Sequence, residues 1–197
     1  MALDTTATAE LPRWSDDMGR DRPLVYATLG TIFNNPEYEL PFFPAVIEGL
    51  RDEDVDVVIT VGPHVAVASV GSPPTNTRVE AYVPQSLLFP RCSVVICHGG
   101  YGTLLAAVEH GVPLVIVPFG ADQHINARSV ERLGIGRVIK GADLTAGRMR
   151  EVVRAVLDDP GYRHRIERVR DEGAALPTAA EAVTRIEKLV AAAHVDG

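Results

Sequence analysis

Residues 94–113 read VVICHGGYGTLLAAVEHGVP, an apolar run that breaks at His98-Gly99-Gly100-Tyr101-Gly102-Thr103 and then resumes with helical spacing. A short run of mostly β-branched residues closed by glycines predicts a buried strand, and the apolar positions after Thr103 predict a helix. The glycines between them let backbone amides approach an anion closely. A helix starting near Gly102 would direct free amides and a partial positive charge at the same point. His98, Gly99, Gly100, Gly102 and Thr103 are therefore candidates for cradling a phosphate, with the imidazole and the threonine hydroxyl as further donors. The plainer alternative is a glycine turn in which His98 serves only its neighbours. The stretch is not a dinucleotide fingerprint, because the third glycine is missing from its place and no acidic residue follows about twenty residues on. A nicotinamide cofactor is disfavoured.

The same alternation of apolar run and amphipathic segment continues on both sides. Strands are expected at 24–29, 55–61, 78–82, 94–97, 114–117 and 137–139, and helices at 40–51, 85–89, 103–110, 121–133, 145–158, 162–173 and 179–193. Near-continuous apolar strands separated by helices imply a doubly wound α/β fold, a parallel sheet of about six strands with helices on both faces. Residues 1–22 are polar, rich in Thr and Ala and without periodicity, and are expected to form a linker or tail outside the core. Residues 23–197 are expected to form one domain. The acidic run from Asp52 to Asp56 is expected to be an exposed loop before the second strand.

Composition narrows the function. A chain of 197 residues with 46% hydrophobic and 23% charged residues is an ordinary globular protein, and no apolar run approaches a membrane span. With no secretory pattern at the start, a cytoplasmic location is expected. The net charge of −7 disfavours nucleic-acid binding, so an anionic ligand must be held by local loop amides and a helix end. Cys92 and Cys97 have neither disulfide nor zinc spacing and are expected to be reduced packing residues. The other histidines, His64, His110, His124 and His164, lack an acid partner or a metal-ligand pattern.

In an open α/β sheet the ligand sits beyond the carboxyl ends of the strands, which directs attention to three further loops. In Tyr82-Val83-Pro84-Gln85 an aromatic suits stacking on a base while the Val83 backbone reads its edge and Gln85 reaches the nucleoside sugar; core packing of the tyrosine is the alternative. Asp122 and Gln123, in Pro118-Phe119-Gly120-Ala121-Asp122-Gln123, suit the hydroxyls of a sugar, with helix capping by Asp122 as the competing account. Asn126, one turn later, either faces the cradle or is solvated. In Thr28-Leu29-Gly30-Thr31 the hydroxyl of Thr31 can meet a phosphate from the opposite wall, or the residues simply turn the chain.

Taken in order, these motifs resemble the C-terminal domain of the UDP-glycosyltransferase superfamily, particularly its bacterial natural-product members of antibiotic biosynthesis, over roughly residues 11–193. The resemblance rests on HGGYGT, Gly111-Val112-Pro113 and Asp122-Gln123 in family order. It implies a GT-B fold, inverting transfer of a sugar from a dTDP- or UDP-sugar donor to a small-molecule acceptor, no metal ion and no other cofactor. By the same resemblance Tyr82 and Gln85 bind the nucleoside, Thr31, His98, Gly100, Gly102 and Thr103 the diphosphate, and Asp122 and Gln123 the donated sugar. Two departures stand out. Plant relatives carry a ribose-binding glutamate where this chain has Ala106. The family's N-terminal acceptor domain, with its catalytic histidine and acid partner, has no counterpart in these residues. No catalytic base is therefore expected here, transfer by this chain alone is expected to be negligible, and the interdomain face is expected to be exposed and open to self-association or to a partner. The alternatives are a subunit of a split glycosyltransferase, a non-catalytic nucleotide-sugar-binding module, and a nucleotide-sugar epimerase.

Overall fold

A computed structural model describes residues 10–31 and 41–193. Its centre is a six-stranded, wholly parallel sheet: β1 (Leu24–Thr28), β2 (Asp56–Thr60), β3 (Thr77–Glu80), β4 (Cys92–Cys97), β5 (Leu114–Ile116) and β6 (Gly136–Val138). The spatial order is β3-β2-β1-β4-β5-β6. Winding runs outward from β1 to β3, then returns to start again beside β1, so the topological switch point lies between β1 and β4.

Side-chain alternation along the strands builds two apolar cores. Val25, Ala27, Val57, Ile59, Val94, Ile96 and Val115 face one side, where α1 (Phe42–Leu50) and α5 (Ala146–Leu157) cover them. Leu24, Tyr26, Val58, Val95, Cys97, Leu114 and Ile116 face the other, under α2 (Gln85–Leu88), α3 (Tyr101–Glu109), α4 (Gln123–Leu133) and α6 (Gly161–Ala174). With both faces covered, every position of β1 and β2 is buried, which is why these strands read as mostly apolar runs, interrupted only by Thr28, Asp56 and Thr60. Each such Val, Leu or Ile contributes about 1.5–3 kcal/mol on burial.

The expected elements all occur, with ends displaced by a residue or two. The helix expected from residue 103 begins at Tyr101, so Gly102 lies inside its first turn. The one expected from 121 begins at Gln123, because Ala121 adopts φ 51 and cannot continue a helix. The expected start of the first helix, residue 40, lies outside the described residues. A last helix, α7 (Ala179–Ala193), exposes Val183, Ile186, Leu189 and Val190.

Two expectations are corrected. Of the tail expected over 1–22, residues 1–9 lie outside the described residues and residues 10–22 are docked rather than trailing: Leu11, Trp14 and Met18 pack on the second core, and the Arg91 guanidinium donates to the carbonyls of Ser15 and Met18 at 2.6 and 2.5 Å. The sparse apolar residues of this segment sit where a turn of 3-10 helix at Arg13–Asp16 brings them to one side. Nor is the acidic run simply exposed. Asp56 is 5% exposed and accepts from the Gly19 amide at 2.8 Å and from Arg22, while Glu53 pairs with Arg150 and Arg154. Burial of these carboxylates is offset by charged and backbone donors contributed by distant segments. Cys92 and Cys97 are free and buried, and burial pushes both thiols up to about 12.

Candidate functional site

Register decides which loops meet. Thr28 of β1 pairs with Cys97 of β4, and Cys97 with Ile116 of β5. The segments after these three strands consequently leave the sheet side by side at the switch point. Thr60 pairs with both Thr28 and Glu80, placing the β3–α2 loop at the same end of the sheet.

His98 lies at the centre, 8% exposed. Its ring is sandwiched by two glycine backbones. A Cβ on Gly30, which sits at φ +69, would come within 2.6 Å of Cε1, and one on Gly100 within 2.8 Å of the same atom. Only glycine permits this closeness on either side. Burial lowers the imidazole pKa to about 4, against a weaker opposing pull from the Asp122 carboxylate. At neutral pH His98 is thus an uncharged ring with one N–H to donate, and a poor base.

Immediately after it, α3 begins with Gly100 as its N-cap, which supplies no side-chain cap. The amides of the first turn have no intrahelical acceptors, and Thr103 there is 8% exposed. A Cβ on Gly102 would meet nothing within 4 Å, so this turn borders open space. Free amides and the positive helix end make the position suited to an anion.

The β5–α4 loop closes one wall. Gln123 is 2% exposed, and its Oε1 accepts from the amides of Phe119 and Gly120 at 2.8 and 3.1 Å. That oxygen is committed to shaping the loop, leaving the NH2 group as what Gln123 can offer a ligand. Asp122 is the N-cap residue of α4 yet makes no side-chain cap bond, contrary to the capping account. Its carboxylate instead accepts from Asn126 Nδ2 at 3.0 Å, and the same nitrogen donates to the Gly99 carbonyl at 2.9 Å. Asn126, left undecided by the sequence, ties Asp122 to the glycine loop. Its spacing of four residues from Asp122 is the signal for that pairing.

On the opposite wall Tyr82 is 59% exposed, whereas the Val83 side chain is buried in the second core. Gln85 donates through Nε2 to the Tyr26 hydroxyl at 3.1 Å. Thr31 is exposed on the loop after β1, and Ala106 is packed into the second core from α3. His98, the glycine loop, Asp122, Gln123 and Asn126 are thus joined by direct contacts, and Tyr82, Gln85 and Thr31 share the same end of the sheet. Sequence reasoning missed Tyr26 and Thr60; a hydroxyl inside an otherwise apolar strand was their only signal. Among the described residues no group of three or more His, Cys, Asp or Glu is arranged to hold a metal ion, and no helix is long and apolar enough to cross a membrane.

A cleft of about 610 Å³ lies elsewhere, bordered by Pro23, Val55, Ser93 and Pro113. These residues mark the amino ends of the strands, the end of an open α/β sheet that does not bind ligands. The carboxyl-end crevice is the better candidate on chemistry.

Comparison with known proteins gives the family. The chain is 38% identical over 179 residues to 4'-demethylrebeccamycin synthase of Lentzea aerocolonigenes, covering 91% of this chain and 41% of that protein. It is 32% identical over 189 residues to 3-alpha-mycarosylerythronolide B desosaminyl transferase of Saccharopolyspora erythraea, covering 96% of this chain and 44% of the relative. The crystal structure of glycosyltransferase VinC in complex with DTDP superposes with a TM-score of 0.78 at 32% identity, over 91% of this chain and 43% of VinC. The chain spans less than half the length of these relatives. Residues 45–189 match the family described as erythromycin biosynthesis protein CIII-like, C-terminal domain, and the chain belongs to that family of natural-product glycosyltransferase domains.

Proposed function

We propose that this chain is the donor-binding half of an inverting, metal-independent glycosyltransferase, which takes a sugar from a dTDP- or UDP-sugar and delivers it to a small natural-product acceptor. The observation that carries the reading is the meeting, at the β1/β4 switch point, of the uncapped α3 N-terminus with a neutral His98 held between Gly30 and Gly100. In this reading the α3 amides, Thr103 and the His98 N–H bind the diphosphate, with Thr31 on the facing loop. Tyr82 stacks on the pyrimidine, the Val83 backbone reads its edge, Gln85 meets the nucleoside sugar, and Asp122 with the Gln123 NH2 group binds the donated sugar.

The same donors stabilise charge that grows on the diphosphate as the sugar departs, which is where preorganised amides act most strongly. The proton of the acceptor hydroxyl needs a base, and His98 with a pKa near 4 is unsuited to that role. The base and the acceptor pocket belong to another half or partner chain, which also covers the exposed interdomain face. Ala106, buried in the core, offers the nucleoside no carboxylate, and this favours dTDP or equalises it with UDP.

Calorimetry with dTDP and UDP in the presence of chelator tests the reading. Binding is expected to both, with UDP no more than tenfold tighter, a margin of about 1.4 kcal/mol. His98→Ala should weaken binding by about 1–3 kcal/mol. Absence of binding to either nucleotide overturns the donor-site assignment, and undiminished affinity of the variant removes His98 from it.

A further inference from the structure

A line of buried polar groups crosses β1 and β2 beneath the crevice. Tyr26, Thr28 and Thr60 are 1%, 2% and 5% exposed and lie on the same face of the sheet. Gln85 Nε2 donates to the Tyr26 hydroxyl at 3.1 Å, and that hydroxyl lies 2.5 Å from Thr60 Oγ1. Thr60 Oγ1 donates in turn to Thr28 Oγ1 at 3.0 Å, and Thr28 Oγ1 donates to the Thr60 carbonyl at 3.4 Å while accepting from the Gly30 amide at 3.1 Å.

The order of donation follows from these contacts. Thr60 has given its proton to Thr28, so between Tyr26 and Thr60 the phenol must be the donor. Its proton spent, the Tyr26 oxygen can only accept from Gln85. The Gln85 carboxamide is therefore turned with Nε2 inward, leaving Oε1 as the atom available to a ligand. Such an arrangement is not required for packing. Phe at 26 and Val at 60 would fill nearly the same space and leave only the part-buried Gln85 amide to find another acceptor, and paired apolar replacement of this kind is often neutral for stability.

We propose that Tyr26 is a positioning residue: with its proton held by Thr60, its hydroxyl fixes the Gln85 carboxamide so that the nucleoside subsite presents an acceptor oxygen to a sugar hydroxyl of the donor nucleotide. This rests on the assignment of Gln85 to the nucleoside in the preceding section. Tyr26→Phe removes the acceptor that anchors Nε2. Thr60→Val releases the phenol proton, which then competes for the carboxamide oxygen and lets the amide turn over.

The test is a double-mutant cycle on dTDP affinity by calorimetry, with folding of each variant checked by circular dichroism. Tyr26→Phe and Thr60→Val are each expected to weaken dTDP three- to tenfold in the otherwise unaltered chain, and less than twofold in the Gln85→Leu background. A general loosening of the sheet would weaken binding by the same factor in both backgrounds, and that result overturns the proposal. So does retention of dTDP affinity within twofold by both variants. If Tyr26→Phe does not fold, Thr60→Val alone decides between these outcomes, because its valine is nearly isosteric. Failure of the unaltered chain to bind dTDP or UDP overturns the donor-site reading itself and this proposal with it, and is distinguished from the other results by appearing before any substitution is made.

Discussion

His98 combines two properties that pull against each other. It sits where an anion is expected, yet burial between Gly30 and Gly100 holds it neutral, with its pKa lowered from 6.5 to about 4. The unfolded chain binds a proton there below pH 6.5 that the folded chain refuses until about pH 4. Folding stability from this residue is therefore present above pH 6.5 and falls as the pH drops, by about 2 kcal/mol at pH 5. Urea titrations at pH 7.5 and pH 5 should show this loss in the unaltered chain and a smaller one in His98→Gln; equal losses would contradict the burial argument. Ala121 carries strain of another kind. Its φ of 51 places an exposed alanine in the left-handed region, beside Asp122. That conformation costs an alanine roughly 1–2 kcal/mol, against about 0.5–1 kcal/mol of extra chain entropy for glycine. Ala121→Gly is expected to stabilise the chain by about 0.5–1 kcal/mol, read as a raised Tm, and a lowered Tm would show that no strain is stored there.

Connections between elements depend on single side chains with several partners. Asn76, 5% exposed just before β3, donates through Nδ2 to the carbonyls of Leu50 and Val55 at 2.9 and 3.1 Å. It thereby fastens the α1–β2 turn to the start of β3. Asn76→Ala leaves buried carbonyls without that donor and should cost about 1–3 kcal/mol in urea unfolding. A change under 0.5 kcal/mol, roughly the range of a surface substitution, would mean that water replaces the amide fully. Other elements were legible for simpler reasons. β1, β4 and β5 are buried on both faces and mostly apolar, so their runs announce themselves, and the glycine turn at 98–100 marks the end of β4. The starts of α3 and α4 were displaced because local backbone angles at Gly100 and Ala121, not side-chain periodicity, decide where those helices begin.

At the scale of the whole molecule, the proposed donor site has to face an acceptor site for transfer to occur. Holding donor and acceptor in reactive geometry and supplying a base are separate requirements, and the site proposed here answers to the donor. With a panel of sugar nucleotides and natural-product acceptors, this chain alone should show negligible transfer. Adding a separately expressed acceptor half from a relative should raise turnover. Robust turnover by the chain alone would require a base among its own side chains and would sink the division of labour proposed here. The exposed Val183, Ile186, Leu189 and Val190 on α7 belong to the same question, since an apolar face of this kind favours association. Ultracentrifugation with and without the acceptor half should show self-association of the chain alone giving way to a mixed complex.

Taken alone, the sequence determined the parallel sheet, its six strands and the place of the glycine loop between β4 and α3, because both-face burial and glycine punctuation are local properties written along the chain. It also placed Asp122 and Gln123 in a loop between a strand and a helix. Only the tertiary structure decided that Asn126 bridges Asp122 to Gly99, that Gln123 spends its oxygen on its own loop, and that Gln85 leans on Tyr26. It likewise decided that residues 10–22 are docked by Arg91 and that Asp56 is buried between Gly19 and Arg22. The physical reason is common to all of these. Each is a polar contact between residues brought together by strand register or helix packing, and a polar residue read from sequence carries no mark of which distant partner will satisfy it.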